Sequence, residues 1–285
     1  MDTLRIKKVL VPTDFSEPSY NAVKTAVAVC MQHHASITLL NVYEKTSNFI
    51  LPYSVAGYQG DVSKRTKMIR TNKLRRLADQ IQVRNNLTVE AEVHKGNVAE
   101  IISTIAIETK MDMIVMGTHG SHWLKRESFM GTITYNVVKY AYVPVLIVPA
   151  QGSWTNFKKI IFPVRTTTNA SEKYETIHPI ITKNNSRLIV LALAEGDHPS
   201  QLFELNALLR DLKSRLKDEG ISYETELHYG NEFPEKILDT AESYCADLIV
   251  INASNKKNNK NVLVNTYLQR IVNVAKTPVL AVKFD

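Results

Sequence analysis

Cysteine is nearly absent. The 285 residues include only Cys30 and Cys245, far apart and in no CxxC pair. This excludes a disulfide framework and a thiolate metal site, and fits a reducing compartment. Long hydrophobic runs are also missing: nothing approaches the ~18 residues of a membrane span. The opening stretch MDTLRIKKVLVPTDF has too short an apolar run, and no cleavage site after it, for a secretion signal. The expectation is a cytoplasmic protein with no membrane partner. Glycine is scarce, yet three of the ten glycines, Gly117, Gly120 and Gly131, fall in one stretch, GTHGSHWLKRESFMGT. Catalytic signatures are lacking too. There is no Walker lysine motif, no pair of carboxylates near that loop and no nucleophile beside a base.

Charge of one sign is in modest excess, +7 in total. Residues 1–150 hold 18 Lys and Arg against 12 Asp and Glu, and residues 151–285 hold 17 against 16. Much of the surplus sits in SKRTKMIRTNKLRR, residues 63–76. Aromatic residues do not interleave with these cations as single-strand binding requires, so the sequence argues for a solvated helix face and against nucleic acid. His33–His34 stand at a helix end, where an imidazolium would favour the dipole. No further metal ligands lie near them.

What is present is one unit written twice. KKVLVPTDFS from Lys7 matches KKIIFPVRTT from Lys158; VHKGN from Val93 matches LHYGN from Leu227; DMIVMG from Asp112 matches DLIVIN from Asp247; VPVLIV from Val143 matches TPVLAV from Thr277. The four pairs keep their order, so the chain divides into domains 1–150 and 156–285 around the polar linker AQGSWTN. The second unit lacks the counterpart of residues 45–61, KTSNFILPYSVAGYQGD, whose Phe49, Tyr53 and Tyr58 suit either a lid over a ligand or a contact with the other unit.

Within each unit, continuous apolar runs such as KVLVP read as strands buried on both faces. They alternate with amphipathic stretches. One is capped by Ser16 and Pro18; another carries its buried stripe on Leu74, Leu77, Ala78 and Ile81. Alternation of this kind predicts an α/β fold with a parallel, doubly wound sheet of five strands per unit. Ligands of such sheets bind beyond the carboxyl ends of the strands.

Gly117 ends the fourth strand and Gly131–Thr132 opens the last helix, whose free amides suit a phosphate. Thr132 can donate its hydroxyl there or cap the helix. Asp14, after the first strand, can accept from a ribose hydroxyl or a base amine, or act as a second helix cap beside Ser16. Val42, near the end of the second strand, can offer backbone groups to an adenine edge or fill core. A loop that needs glycine for turn geometry alone is the other reading.

PTDFSE, LLNV, GTHG, GT and PVLIVP, in order and over nearly the whole chain, resemble a tandem universal stress protein. The resemblance implies two Rossmann-like, adenine-nucleotide alpha-hydrolase-like domains that pair through their fifth strands as an intramolecular pseudo-dimer. In ATP-binding members the loop reads G-x2-G-x9-G-[ST]. The carried-over residues are Asp14, Val42, Gly117, Gly120, Gly131 and Thr132, holding ATP with or without Mg. The loop departs by one residue: ten, Ser121 to Met130, separate Gly120 from Gly131. In the second unit Asn252, Asn255, Asn265 and Thr266 take the glycine and threonine positions, and Arg165 stands where Asp14 stands. Asparagine tolerates left-handed backbone but fills space that a triphosphate needs, so nucleotide is expected in the first unit only. The resemblance thus implies a non-catalytic ATP-binding stress protein acting through an unidentified protein partner, with a further homodimer open. The alternatives are a nucleotide-independent interaction module and a slow adenine-nucleotide hydrolase.

Overall fold

The computed structural model describes residues 5–44, 62–118, 131–195, 199–253 and 264–283. The insertion 45–61, Gly120, Asn255 and the loop residues His119, His122 and Trp123 lie outside the described residues.

The first unit runs β1 (Lys8–Pro12), α1 (Glu17–His33), β2 (Ser36–Tyr43), α2 (Val62–Asn85), β3 (Val89–Lys95), α3 (Val98–Glu108), β4 (Met113–Gly117), α4 (Thr132–Tyr140) and β5 (Val145–Val148). The second repeats the order as β6 (Lys159–Val164), α5 (Ala170–Asn184), β7 (Arg187–Ala194), α6 (Pro199–Asp218), β8 (Tyr223–Tyr229), α7 (Phe233–Ser243), β9 (Leu248–Asn252), α8 (Val264–Val274) and β10 (Val279–Val282). All ten strands join one sheet in the order β3-β2-β1-β4-β5-β10-β9-β6-β7-β8. Pairing is parallel within each unit and antiparallel between β5 and β10, where Leu146 faces Leu280. The result is two tandem α/β units on one mixed, largely parallel sheet.

The repeated sequence words have physical reasons. Asp112 Oδ2 accepts from the backbone N–H of Lys7 and Lys8 at 2.7 and 2.8 Å, and Asp247 Oδ2 does the same for Lys158 and Lys159 at 2.9 Å each. Each aspartate thus ties the entry of one strand to the entry of its neighbour. Gly96 and Gly230 take φ of +151° and +145°, a region that only glycine enters freely. Their preceding histidines differ: His94 Nε2 pairs with Glu92 at 2.8 Å, whereas His228 meets the Phe233 ring edge-on at 6.4 Å.

Helices cover both faces. One core lies under α1, α2, α5 and α6, the other under α3, α4, α7 and α8, and each runs unbroken across both units. Leu74, Ala78 and Ile81 of α2 are buried as their spacing requires. The Ser16 side chain caps α1 by accepting from Ser19 N. The linker is more than a polar tether: Trp154 packs against the first core, and Gln32 Nε2 donates to Thr155 O at 2.9 Å. His33 departs from its expected role. Burial, helped by the neighbouring charges of Lys183 and His34, lowers its pKa to about 4, so the ring is neutral and gives the dipole no charge.

A charged clasp fastens α5 to the end of α6. Glu219 accepts from Tyr174 OH at 2.5 Å and from Arg215 Nε at 2.8 Å, and its Oε2 lies 2.9 Å from His178 Nε2. Burial works against ionisation of Glu219, but the hydrogen bonds from Tyr174 and Arg215 and the charges of His178 and Arg215 outweigh it and hold its pKa below the ordinary value. A carboxyl lowered on folding stabilises above its unfolded pKa, and that contribution is lost as pH falls through the folded one. Glu219→Gln is therefore expected to cost about 1–2 kcal/mol near neutral pH and less in acid. Denaturant unfolding at both pH values checks this; an equal loss at both contradicts the clasp.

Candidate functional site

The carboxyl ends of β1, β2 and β4 converge on a cleft of about 110 Å³, whose lining includes Thr13, Asp14, Val42, Val98, Gly117 and Ile133. Each wall follows from local chemistry. After β1 the chain turns sharply at Phe15, φ +67°. The turn is held by Thr13 Oγ1, which accepts from Phe15 N at 3.1 Å and lies 2.9 Å from Ser19 Oγ. Asp14 is exposed, and its Oδ1 accepts from both N–H and O–H of Ser16, at 3.0 and 2.5 Å. Asp14 thus supports the start of α1 while its carboxylate borders the cleft.

Val42 owes its place to the early end of β1. Thr13 N donates to Leu40 O at 2.9 Å, whereas Tyr43 O accepts from Gly96 N at 3.0 Å on the β3 side. Backbone groups alternate along a strand, so the N–H and C=O of Val42 point to the side that β1 has left. Asn41 secures this corner: its Nδ2 donates to Thr13 O at 2.7 Å, and its Oδ1 accepts from Arg70 at 3.1 Å.

The glycines play different parts. A Cβ on Gly117 would lie 3.0 Å from the carbonyl oxygen of Pro18, so close approach to α1 already requires glycine there. Gly131 is the N-cap of α4 at φ −54° and ψ 138°, with no side-chain cap hydrogen bond among the described residues. Any residue can adopt that backbone, so the expected conformational demand is absent; glycine simply adds no side chain before the first amides of α4. The base of the loop is pinned. Gly131 N donates to Thr118 O at 3.2 Å, and buried Thr134 Oγ1 donates to Gly117 O at 3.1 Å and Thr118 O at 3.3 Å. Thr132 is exposed at the start of α4. Thr13, Ser19, Asn41 and Thr134 went unnoticed in the sequence. Only the nearness of Thr13 and Ser19 to Asp14 could have flagged any of them.

The matching place in the second unit holds a stacked cation. The Arg165 guanidinium pairs with Glu195 at 2.6 Å and lies 4.7 Å from the Phe233 ring centre and 5.9 Å from that of Tyr267. Phe233 opens α7 as Val98 opens α3, and Tyr267 follows Thr266 as Ile133 follows Thr132. Two larger rings and a cation thus occupy ground that is cleft in the first unit. The sequence shows the reversed charge at Arg165; the structure adds that its guanidinium stacks on two rings. Asn252 ends β9, while the side chains of Asn265 and Thr266 in α8 lie outside the described residues.

The family model of the universal stress proteins matches residues 5–149 and again 158–283. The chain belongs to the universal stress protein family. Two universal stress proteins of Methanocaldococcus jannaschii are similar to it. One is 30% identical over 159 residues, 52% of this chain and 97% of the relative; the other is 29% identical over 143 residues, 50% and 81%. A crystal structure of a universal stress protein from Archaeoglobus fulgidus shares the fold over 98% of this chain and 99% of its own, with TM-score 0.76 and 17% identity. Among the described residues of this family member, no helix is long and apolar enough to cross a membrane, and no three His, Cys, Asp or Glu side chains gather as a metal group.

Proposed function

We propose that this chain is a non-catalytic, ATP-binding stress-response protein of the cytoplasm that holds one nucleotide in domain 1–150. Domain 156–285 serves as its fused, silent partner in an intramolecular pseudo-dimer, and the bound state is read by a protein partner. The observation that carries the reading is the contrast between the matched clefts: open beside Asp14, Val42 and Gly117, and filled by Arg165, Phe233 and Tyr267 in the second unit. In this reading adenine meets the backbone of Val42 and the Asp14 carboxylate meets the ribose. The phosphates lie at the start of α4, beside Gly131 and Thr132; Gly120, the other glycine expected to hold them, lies outside the described residues. A helix start of this kind favours an anion by its amides and its dipole together.

One observation favours a nucleotide-independent interaction module instead. The cleft's 110 Å³ is below the ~300–1,000 Å³ usual for ligand pockets. A thermal-shift titration separates the two. ATP at about 100 times its Kd stabilises a protein by ~2.7 kcal/mol, which raises the midpoint by roughly 5 °C or more. No shift at millimolar ATP, ADP or AMP contradicts nucleotide binding and favours the module.

A further inference from the structure

β3 is an edge strand of the ten-stranded sheet. Thr88 O accepts from Ile37 N at 2.9 Å and Gly96 N donates to Tyr43 O at 3.0 Å, so even-numbered residues face β2. The backbone N–H and C=O of Val89, Ala91 and Val93 therefore point away from the sheet, where another strand would pair. α2 runs over this edge and carries eight Lys and Arg against a single Asp. Lys67, Thr71 and Arg75, at i, i+4 and i+8, overhang it on one side of the helix. With Tyr43, Ala91, Glu92, Val93, His94 and Lys95 they line a groove of about 580 Å³ among the described residues, in which the Glu92 carboxylate is paired with His94 at 2.8 Å. Among the described residues neither Lys67 nor Arg75 forms an ion pair, whereas Arg187, Lys236 and Arg270 of the second unit each have a carboxylate.

A solvated helix face accounts for cations on α2, but not for a row of them above an edge that, among the described residues, has no strand beside it. A second copy of this chain adding β3 to β3 would bring two basic overhangs together, and like charges oppose that pairing. The same cations favour a strand of opposite sign. We propose that the β3 edge of the first unit accepts an extended acidic segment of a partner protein as an added strand. Main-chain hydrogen bonds supply affinity, and side-chain alternation supplies selectivity. On the face covered by α2 the incoming side chains meet Lys67 and Arg75 and are acidic. On the opposite face they meet Glu90 and Glu92, which lie on the other side of β3 from Ala91 and Val93, and are uncharged. The recognised pattern is an acidic residue at every second position.

The probe is a fluorescent octapeptide of alternating Glu and Thr, followed by anisotropy at low salt against the full chain. It is expected to bind, and its Lys–Thr counterpart is not. Lys67→Glu with Arg75→Glu weakens binding by roughly tenfold or more, with the thermal midpoint unchanged because both side chains lie outside the core. N-methylation of the four central peptide residues keeps every charge and removes the strand's donors, so it abolishes binding. The peptide also slows hydrogen exchange at the Ala91 and Val93 amides. An N-methylated peptide bound as tightly as its parent, or unaltered exchange at Ala91 and Val93, overturns strand addition. So does a single-stranded oligonucleotide or a phosphatidylserine vesicle that binds through Lys67 and Arg75 where the peptide does not.

Discussion

Gly131→Val is expected to weaken ATP binding roughly tenfold or more while leaving the thermal midpoint of the nucleotide-free protein within about 2 °C of the parent. The backbone at Gly131 suits valine, and no side-chain cap is lost there. The cost falls on the ligand, because a branched side chain would stand before the opening amides of α4, where charged oxygens gain most from preorganised donors. Gly117→Val should behave differently. Its Cβ would meet Pro18 O at 3.0 Å and Pro18 C at 3.2 Å, and both atoms belong to backbone that cannot swing aside. Overpacking of this kind costs about 1–3 kcal/mol, so this variant loses stability with or without nucleotide. Calorimetric titration beside thermal unfolding separates the two effects. If both variants lose stability and keep affinity, the start of α4 is not the phosphate site.

Lys173→Met is expected to make the protein more stable by about 2 kcal/mol near pH 7. Lys173 is 1% exposed. Its Nζ donates to Pro163 O and lies 4.4 Å from the Phe162 ring centre. Burial lowers its pKa from 10.5 to about 7. The sign follows directly. Between those values the unfolded chain holds a proton that the folded chain has released, so stability rises with pH across the window. The linkage amounts to about 2 kcal/mol between pH 7 and pH 9. Lys173→Met should abolish that rise while keeping a similar volume. Denaturant unfolding of both proteins at the two pH values gives the comparison; a pH slope that survives the substitution contradicts a buried, proton-shedding lysine.

Lys173 also marks where the sequence stops being legible. Strands such as KVLVP and the stripe of Leu74, Ala78 and Ile81 could be read because burial there follows a period of the chain itself. Ser16 and Pro18 could be read because capping is local. A lysine in an amphipathic helix reads as solvent-facing, and only the fold shows Lys173 inside, at the position that corresponds to buried Ala22. Arg165 is similar. Its charge reversal relative to Asp14 is visible in the repeat, but its stacking partners Phe233 and Tyr267 come from helices far along the chain, and no spacing rule joins the three. Asn41 and Thr134 look like ordinary polar residues of a strand and a helix until β1 turns away and their hydrogen bonds cross to other elements. Gly117 and Gly131 read alike as loop glycines, yet the first is held by contact with α1 and the second puts no side chain of its own before the start of α4.

The central claim is one live cleft and one filled one. Denaturing freshly purified protein and identifying the released nucleotide by mass spectrometry, with its stoichiometry, tests this most directly. The account predicts about one ATP per chain, retained when Arg165 is changed to Ala and lost with Gly131→Val. Two per chain would contradict the filled second cleft. One per chain that survives Gly131→Val would contradict the place given to the nucleotide.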